Sequence, residues 1–285
     1  MIDHPLAGTP YETALELCVV LAAVCWVLTL LTRDHSWVDR LWSIVPAVLC
    51  LIVAVDLGFD SPRVNIMTAL AVLWGLRLTY NLALKGGYRV GRQDYRWTYV
   101  REQLGAVKFQ VVNLTFIAFG QIAILWLFTS PIHQAWEHAE QPLGWLDAVA
   151  AVIFLLLLLT ETIADAQMWR FQQNKKRLVS EGAEVRQPFM TGGLFRFCRH
   201  PSYACEMGMW AAFYLFAVSG ASHIWHWTGL GCLALVVLFL CATRVGERVS
   251  SERYPGYGAY RAAVPMFVPN PFRFGRRAGA HSNPR

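Results

Sequence analysis

A short basic turn holds the residues of this chain best suited to binding an anion. Residues 192–206 read GGLFRFCRHPSYACE. Arg196, Arg199 and His200 place guanidinium and imidazole donors beside two glycines, which let the backbone approach a ligand closely. Pro201 is suited to start a helix, because its missing N–H costs nothing in the first turn. A basic turn that leads into a helix favours a phosphate or carboxylate ligand, although the same sequence also suits a plain membrane anchor.

Ionisable residues also occur within the long apolar segments or at their ends. Glu161 and Asp165 are four residues apart and share one helical face, where two carboxylates repel unless a cation, a donor or a proton lies between them. Further residues of this kind are Asp39, Arg77, Tyr80, Glu206, Arg244 and Glu247. Ionisable groups at membrane depth are costly and commonly functional. The set therefore predicts a polar pocket open to the cytoplasm, with salt bridges between helices as the alternative for any single residue.

Seven apolar segments must position these residues. Each has about the 17–25 residues that a membrane-spanning helix needs, and they cover 13–31, 38–57, 64–84, 109–129, 144–165, 203–219 and 224–245. Lys and Arg concentrate in alternate gaps, so the positive-inside rule places the N-terminus outside and the C-terminus in the cytoplasm. We therefore expect an all-α polytopic membrane protein with seven transmembrane helices. Residues 1–274 would form a single integral-membrane domain, and 275–285 a disordered basic tail.

The composition limits the classes of partner and cofactor. Hydrophobic residues make up 55% of the chain and charged residues 15%, which is typical of a protein embedded in the lipid bilayer. The net charge of +6 comes from loops next to the membrane, where anionic lipid or an anionic cofactor is a nearer partner than nucleic acid. The seven cysteines include no CxxC pair, so we expect neither a disulfide framework nor a metal site.

Residues 199–206, RHPSYACE, resemble the Arg-His-Pro-Asn-Tyr-x-Gly-Glu motif of the steroid 5-alpha-reductase-like membrane proteins, especially their bacterial branch. Ser202 and Cys205 stand where that motif has Asn and Gly, and a serine offers fewer hydrogen bonds than an asparagine. The resemblance covers roughly residues 35–270 and is most specific in the C-terminal half. Other similar stretches are VDRLW at 38–42, LWGLRL at 73–78, QDYRW at 93–97, ETIADAQ at 161–167 and YGAYRAAVP at 257–265.

This resemblance implies an NADPH-dependent reductase that reduces a carbon–carbon double bond conjugated to a carbonyl in a steroid- or other lipid-like substrate. The cofactor-binding residues that it implies are Arg92, Arg96, Arg196, Arg199 and His200 for the phosphates, Asp165, Gln167, Tyr203 and Glu206 for the ribose or amide, and Glu247 and Tyr260 to close the site. Tyr80 is the candidate catalytic donor to the substrate carbonyl, at the spacing from Arg92 expected in those enzymes. Asp39 is the candidate catalytic acid, with a simple helix-start carboxylate as the alternative.

Two other functions stay open. The related membrane methyltransferases that modify isoprenylcysteine carry an Arg-His-Pro-x-Tyr turn and use S-adenosylmethionine, so methyl transfer is the main alternative. Glu206 and the Asp165-x-Gln167 pair favour the reductase. The third possibility is a lipid-binding or transport protein that kept only the fold. The resemblance also implies an integral protein of the bacterial inner membrane, and the oligomeric state is left open.

Overall fold

The structure, a computed structural model, describes residues 8–91 and 93–269. The predicted cofactor residue Arg92 and the predicted tail at 275–285 lie outside these ranges. Within them the chain is helical and contains no strand. The α-helices are α1 Pro10–Thr32, α2 Trp37–Leu41, α3 Val45–Asp56, α4 Pro62–Leu84, α5 Tyr95–Leu104, α6 Ala106–Val112, α7 Gln121–Thr129, α8 Pro131–Glu137, α9 Trp145–Ser180, α10 Pro201–Ala221, α11 Gly229–Arg253 and α12 Tyr257–Ala263. A π-helical segment, Asn113–Gly120, joins α6 to α7, and a 3-10 turn covers Gly193–Arg196.

Six helical segments of the described chain are long and apolar enough to cross a membrane. They are α1, α4, the segment Ala106–Glu137, α9, α10 and α11. Each coincides with one of the predicted apolar segments, so the all-helical membrane architecture is confirmed at this level. The predicted count of seven spans and the predicted orientation are not confirmed.

The predicted span at 38–57 is not one continuous helix. It is divided into α2 and α3 by a turn at 42–44, and α3 has 12 residues. At about 1.5 Å per residue, α3 is roughly 18 Å long, short of a hydrocarbon core of about 30 Å. Pro46 explains the break, because proline has no N–H and its ring clashes with the carbonyl four residues earlier.

Helix α9 continues well past its predicted end at residue 165. It has 36 residues and stops at Ser180. The second half is polar but contains neither proline nor glycine, so nothing in it interrupts the backbone hydrogen bonds. Gly182, at φ +69°, adopts the left-handed conformation that commonly follows a helix end. Asp165 and Gln167 therefore lie in the middle of this helix and not at its end.

The chain divides into two compact units. The described residues up to Leu156, together with Met209–Leu238, form the first unit; Leu157–Gly208 and the described residues from Phe239 form the second. The core of the first unit contains Trp74 and Trp210, whose rings meet edge to face at 5.0 Å. The same unit buries an ion pair in which Arg63 Nε lies 2.8 Å from Asp147 Oδ1.

Candidate functional site

The second unit is organised around a buried carboxylate, that of Glu247 in α11. Arg199 donates from Nε to Oε1 at 2.6 Å and from Nη2 to Oε2 at 3.2 Å, a bidentate arrangement of two buried side chains. Arg261 adds a second guanidinium, with Nε 3.2 Å from Oε2. Two arginines, Arg199 of the basic turn and Arg261 of α12, therefore hold the carboxylate.

His200 completes the ring of donors around Glu247. Its Nε2 lies 2.9 Å from Glu247 Oε1. Burial lowers the pKa of the His200 imidazole, and the Glu247 carboxylate opposes that shift without cancelling it. The imidazole is therefore neutral near pH 7. Because an ionised carboxylate only accepts hydrogen bonds, Nε2 carries the proton and donates it to Glu247.

Residues 261–266, here called the C-terminal segment, bind the basic turn through their backbone carbonyls. The N–H of Arg199 donates to the carbonyl of Pro265 at 2.9 Å, and the N–H of His200 donates to that of Met266 at 3.1 Å. Arg199 Nη1 donates to the carbonyls of Arg261, at 2.9 Å, and Val264. Arg199 was predicted to bind cofactor phosphate; the structure directs its Nε, Nη1 and Nη2 donors to Glu247 and to this segment, so the residue positions the turn.

Gln167 fixes the start of the turn, next to its paired glycines. Its Oε1 accepts a hydrogen bond from the N–H of Leu194 at 2.9 Å. Gly193 has φ +58°, and a Cβ there would overlap the Gln167 side chain. Only glycine combines this backbone conformation with such a close approach at low cost. The structure thus joins the predicted residue Gln167 directly to the predicted turn.

Asp165, the last residue of the apolar segment 144–165 in α9, meets the first turn of α10. Ser202 donates from Oγ to Asp165 Oδ1 at 3.3 Å. Ser202 stands where the motif has asparagine, and its shorter side chain still reaches the carboxylate of Asp165. Glu206, one turn further along α10, is buried. The middle of α9 and the start of α10 therefore bring two predicted carboxylates into the second unit.

The aromatic members of the predicted set brace the turn. The Tyr260 hydroxyl donates to the carbonyl of Phe195 at 2.6 Å, and burial raises the pKa of this hydroxyl. Tyr203 stacks on the His200 ring, with centroids 5.8 Å apart and an interplanar angle of 12°. Arg196 is exposed, and its guanidinium lies 4.5 Å from the centroid of the Phe197 ring. Arg196 is thus the accessible arginine of the turn.

The predicted residues of the N-terminal half belong to the first unit. Trp97 donates from Nε1 to Asp39 Oδ2 at 3.1 Å. Arg96 forms a bidentate pair with Asp94, with Nε–Oδ1 at 3.0 Å and Nη2–Oδ2 at 2.8 Å. Tyr80 is 66% exposed on α4. Asp39 and Arg96 therefore both contact α5 or its N-cap, and Tyr80 is a surface residue of α4.

A buried polar cluster around Asp34, between α1 and α2, was not predicted from the sequence. Asp34 Oδ2 accepts from Arg40 Nη2 at 2.6 Å and from the N–H of Gly91 at 2.9 Å. Burial acts to raise the pKa of Asp34, but these hydrogen bonds and one from Ser36 outweigh burial and lower it. The buried His35 places Nδ1 3.1 Å from Gln93 Oε1. The cluster could have been suspected from the consecutive polar residues that follow the first apolar segment.

Comparison with known proteins assigns the chain to a family. Residues 25–264 match the model of a family described as "Protein of unknown function (DUF1295)". The chain belongs to the DUF1295 family. An uncharacterised protein of Schizosaccharomyces pombe is 33% identical over 274 residues, which are 91% of this chain and 80% of the relative. The DUF1295 family is associated with steroid 5-alpha-reductase-like proteins. No solved structure matches the chain.

The chemistry available to this DUF1295 protein lies in hydrogen bonding and charge. Within residues 8–91 and 93–269, no group of three His, Cys, Asp or Glu side chains is placed to hold a metal ion. The second unit offers carboxylates as acceptors, Arg196 as an exposed cation, and a turn whose backbone is open at Gly192 and Gly193. Such a set can bind a molecule that carries phosphates together with hydroxyl or amide donors.

Proposed function

We propose that this chain is an NADPH-dependent membrane oxidoreductase. Its reaction is reduction of a carbon–carbon double bond conjugated to a carbonyl, in a steroid- or other lipid-like substrate that enters from the bilayer. Membership of the DUF1295 family supports this proposal through the association of that family with steroid 5-alpha-reductase-like proteins.

One observation carries the proposal: the second unit gathers nine of the eleven residues that the resemblance assigns to the cofactor, all except Arg92 and Arg96. Gln167 contacts the turn, Asp165 contacts Ser202, and Glu247 contacts both Arg199 and His200. Burying charged groups is costly unless they are paired, and an apolar replacement is often as stable. A buried Arg199–Glu247 ion pair beside these contacts therefore favours a binding role over a purely structural one.

The residues present fit NADPH in their chemistry. Arg196, exposed on the turn, would attract the phosphates, and the backbone at Gly192 and Gly193 would allow them to approach closely. Asp165 and Glu206 would accept hydrogen bonds from ribose hydroxyls or from the carboxamide. Arg199 would act indirectly, because it holds Glu247 and the C-terminal segment in place.

NADPH, when bound, supplies the hydride that reaches the β carbon of the conjugated system. The chain has to orient the cofactor, stabilise the enolate that forms at the carbonyl, and deliver a proton to the α carbon. The half-buried imidazole of His200, neutral near pH 7, would add no positive charge to that of the two arginines beside Glu247. The site therefore keeps acceptors for the uncharged parts of the cofactor as well as cations for its phosphates.

We further propose the finer topology: seven crossings, the N-terminus outside and the C-terminus in the cytoplasm of a bacterial inner membrane. In this arrangement α2 and α3 together form the second, interrupted crossing. The concentration of Lys and Arg in alternate loops supports this orientation. It places the basic turn and the end of α11 on the cytoplasmic side, where NADPH is available.

A hydride-transfer experiment tests the proposal. The purified protein would be incubated with NADPH deuterated at the transferable position and with steroid, isoprenoid and fatty-acyl enones. We expect a saturated product with deuterium at the β carbon, detected by mass spectrometry. Arg196→Gln should raise the KM for NADPH about tenfold through loss of one charged contact, whereas Arg186→Gln, at another exposed position in this unit, should not. Transfer of labelled methyl from S-adenosylmethionine instead would establish the methyltransferase alternative.

A further inference from the structure

A cavity of about 480 Å³ lies beside the C-terminal part of α11. Its volume falls within the range of about 300–1,000 Å³ that is usual for ligand pockets. All of its lining residues belong to the second unit. They are Arg244, Glu247, Arg248, Ser251, Glu252, Arg261 and Met266.

The charged residues that line this cavity favour an anion. Three are arginines and two are glutamates, and one of the glutamates, Glu247, is already neutralised. Arg199 contacts both of its carboxylate oxygens, at 2.6 and 3.2 Å, and so balances its single charge without Arg261. Glu247 therefore presents little uncompensated negative charge to the cavity.

Glu252, the second glutamate, compensates the positive charge of Arg248 only weakly. Arg248 Nε lies 3.4 Å from Glu252 Oε1, and the two side chains are 72% and 57% exposed. Exposed pairs one helical turn apart contribute only about 0.3–0.5 kcal/mol to stability. A ligand that offers several anionic oxygens can therefore compete with Glu252 for this guanidinium.

The spacing of the arginines suits one ligand shared between them. Arg244 and Arg248 are four residues apart, so they stand on the same face of α11. Like charges at this spacing repel by a few tenths of a kcal/mol, and an anion between them removes that repulsion. Arg261 approaches from the start of the C-terminal segment. Guanidinium groups bind the oxygens of phosphate in a planar, paired geometry.

We propose that this cavity is a phosphate-binding site formed by Arg244, Arg248 and Arg261. The shared chemistry is a phosphate group with a free negative charge, supplied either by a phosphorylated dinucleotide or by the headgroup of an anionic lipid. With a phosphorylated dinucleotide as the source, the site rests on the proposed function; with a lipid headgroup as the source, it does not.

The test compares the wild type with an Arg244→Gln/Arg248→Gln double variant. Arg177→Gln is the matched control, because Arg177 also pairs with a glutamate four residues on, at 3.3 Å, and is exposed, but it does not line the cavity. In the first arm, the affinities for NADPH and NADH are measured in detergent. In the second, melting temperatures are compared in phosphatidylcholine nanodiscs with and without phosphatidic acid. A single Arg248→Gln variant provides a milder change should the double variant be poorly folded.

Support takes one of two forms. A dinucleotide source predicts that the wild type prefers NADPH to NADH at least about tenfold and that the double variant loses this preference. A lipid source predicts that phosphatidic acid raises the melting temperature of the wild type and of Arg177→Gln, but not that of the double variant.

The proposal is overturned if the wild type and the double variant behave alike in both arms, or if Arg177→Gln loses as much as the double variant. Binding of phosphatidic acid without binding of NADPH would remove the proposed reductase function and leave the phosphate site intact. Equal binding of NADPH by all variants, with no lipid effect, would remove the phosphate site alone.

Discussion

Arg199 and Glu247, 48 residues apart in the chain, form a buried bidentate ion pair whose shorter contact, Nε to Oε1, is 2.6 Å. The pair links the basic turn before α10 to the last long helix, α11. Because His200 and Arg261 contact the same carboxylate, Glu247 is the centre of the second unit. The predictions below follow from this arrangement and from its neighbours.

Removal of Arg199 should destabilise the second unit strongly. Arg199→Ala leaves Glu247 buried with two of its donors gone, and breaking a buried pair on one side costs about 3–5 kcal/mol. Arg199→Met/Glu247→Leu, which removes both charges, should recover much of that loss. Denaturation of the purified protein measures both. If Arg199→Ala unfolds at the same denaturant concentration as Arg196→Ala, which changes an exposed arginine, the pair is not the centre of this unit.

Alanine at Gly193 should distort the turn through contact with Gln167 as well as through backbone strain. A left-handed residue other than glycine costs about 1–2 kcal/mol. Gly182→Ala provides the matched control, since Gly182 also has a positive φ but a Cβ there meets no atom within 4 Å. We expect Gly193→Ala to lower the melting temperature more than Gly182→Ala does. The melting temperature of the double variant Gly193→Ala/Gln167→Ala should be closer to that of Gly182→Ala. Equal losses for the two single variants would show that the contact with Gln167 is unimportant.

The protein should lose stability as the pH falls below about 6.5, in part through His200. Burial lowers the pKa of His200 in the folded state, while the unfolded chain keeps a value near 6.5. Between these two values the unfolded chain binds a proton that the folded chain does not, so the free energy of unfolding falls with falling pH. His200→Gln should make the pH dependence of the melting temperature between pH 7.5 and 5 shallower. Identical slopes for the two proteins would contradict this role.

Tyr80→Phe should lower turnover without changing affinity for NADPH. The resemblance assigns Tyr80 to the substrate carbonyl, and the structure exposes its side chain on α4. Loss of a donor that acts mainly in the transition state lowers kcat and leaves cofactor binding unchanged. Steady-state kinetics with NADPH and an accepted enone would measure both. Unchanged turnover would exclude Tyr80 from the reaction.

Most of the helices were predictable from apolar length, and the exceptions have local causes. Summed hydropathy over 38–57 cannot detect that Pro46 interrupts the helix, so the segment was predicted as a single span. The same measure ended the fifth span at residue 165, although α9 continues to Ser180. Hydropathy indicates which segments can lie in the hydrocarbon core of a membrane. Helix ends depend on glycine, proline and capping.

The sequence indicates which residues are candidates for the site better than it indicates which groups those residues contact. The basic turn and the carboxylates Asp165, Glu206 and Glu247 were identified from residue type and depth alone. The pairing of Arg199 with Glu247 is a long-range contact, and no local pattern shows which donors it uses. For this reason the contacts of the Arg199 guanidinium with Glu247 and Arg261 could not be predicted, and its assignment to cofactor phosphate stays a prediction.

Ligand-induced thermal stabilisation tests the central claim most directly. The melting temperature of the detergent-solubilised protein would be measured with NADPH, with NADH and with S-adenosylmethionine, since a ligand that binds only the folded state must raise it. The account predicts a rise with NADPH, none with S-adenosylmethionine, and a smaller rise for Arg196→Gln than for the wild type. A rise with S-adenosylmethionine alone, or no rise with either nicotinamide cofactor, would contradict the proposed reductase function.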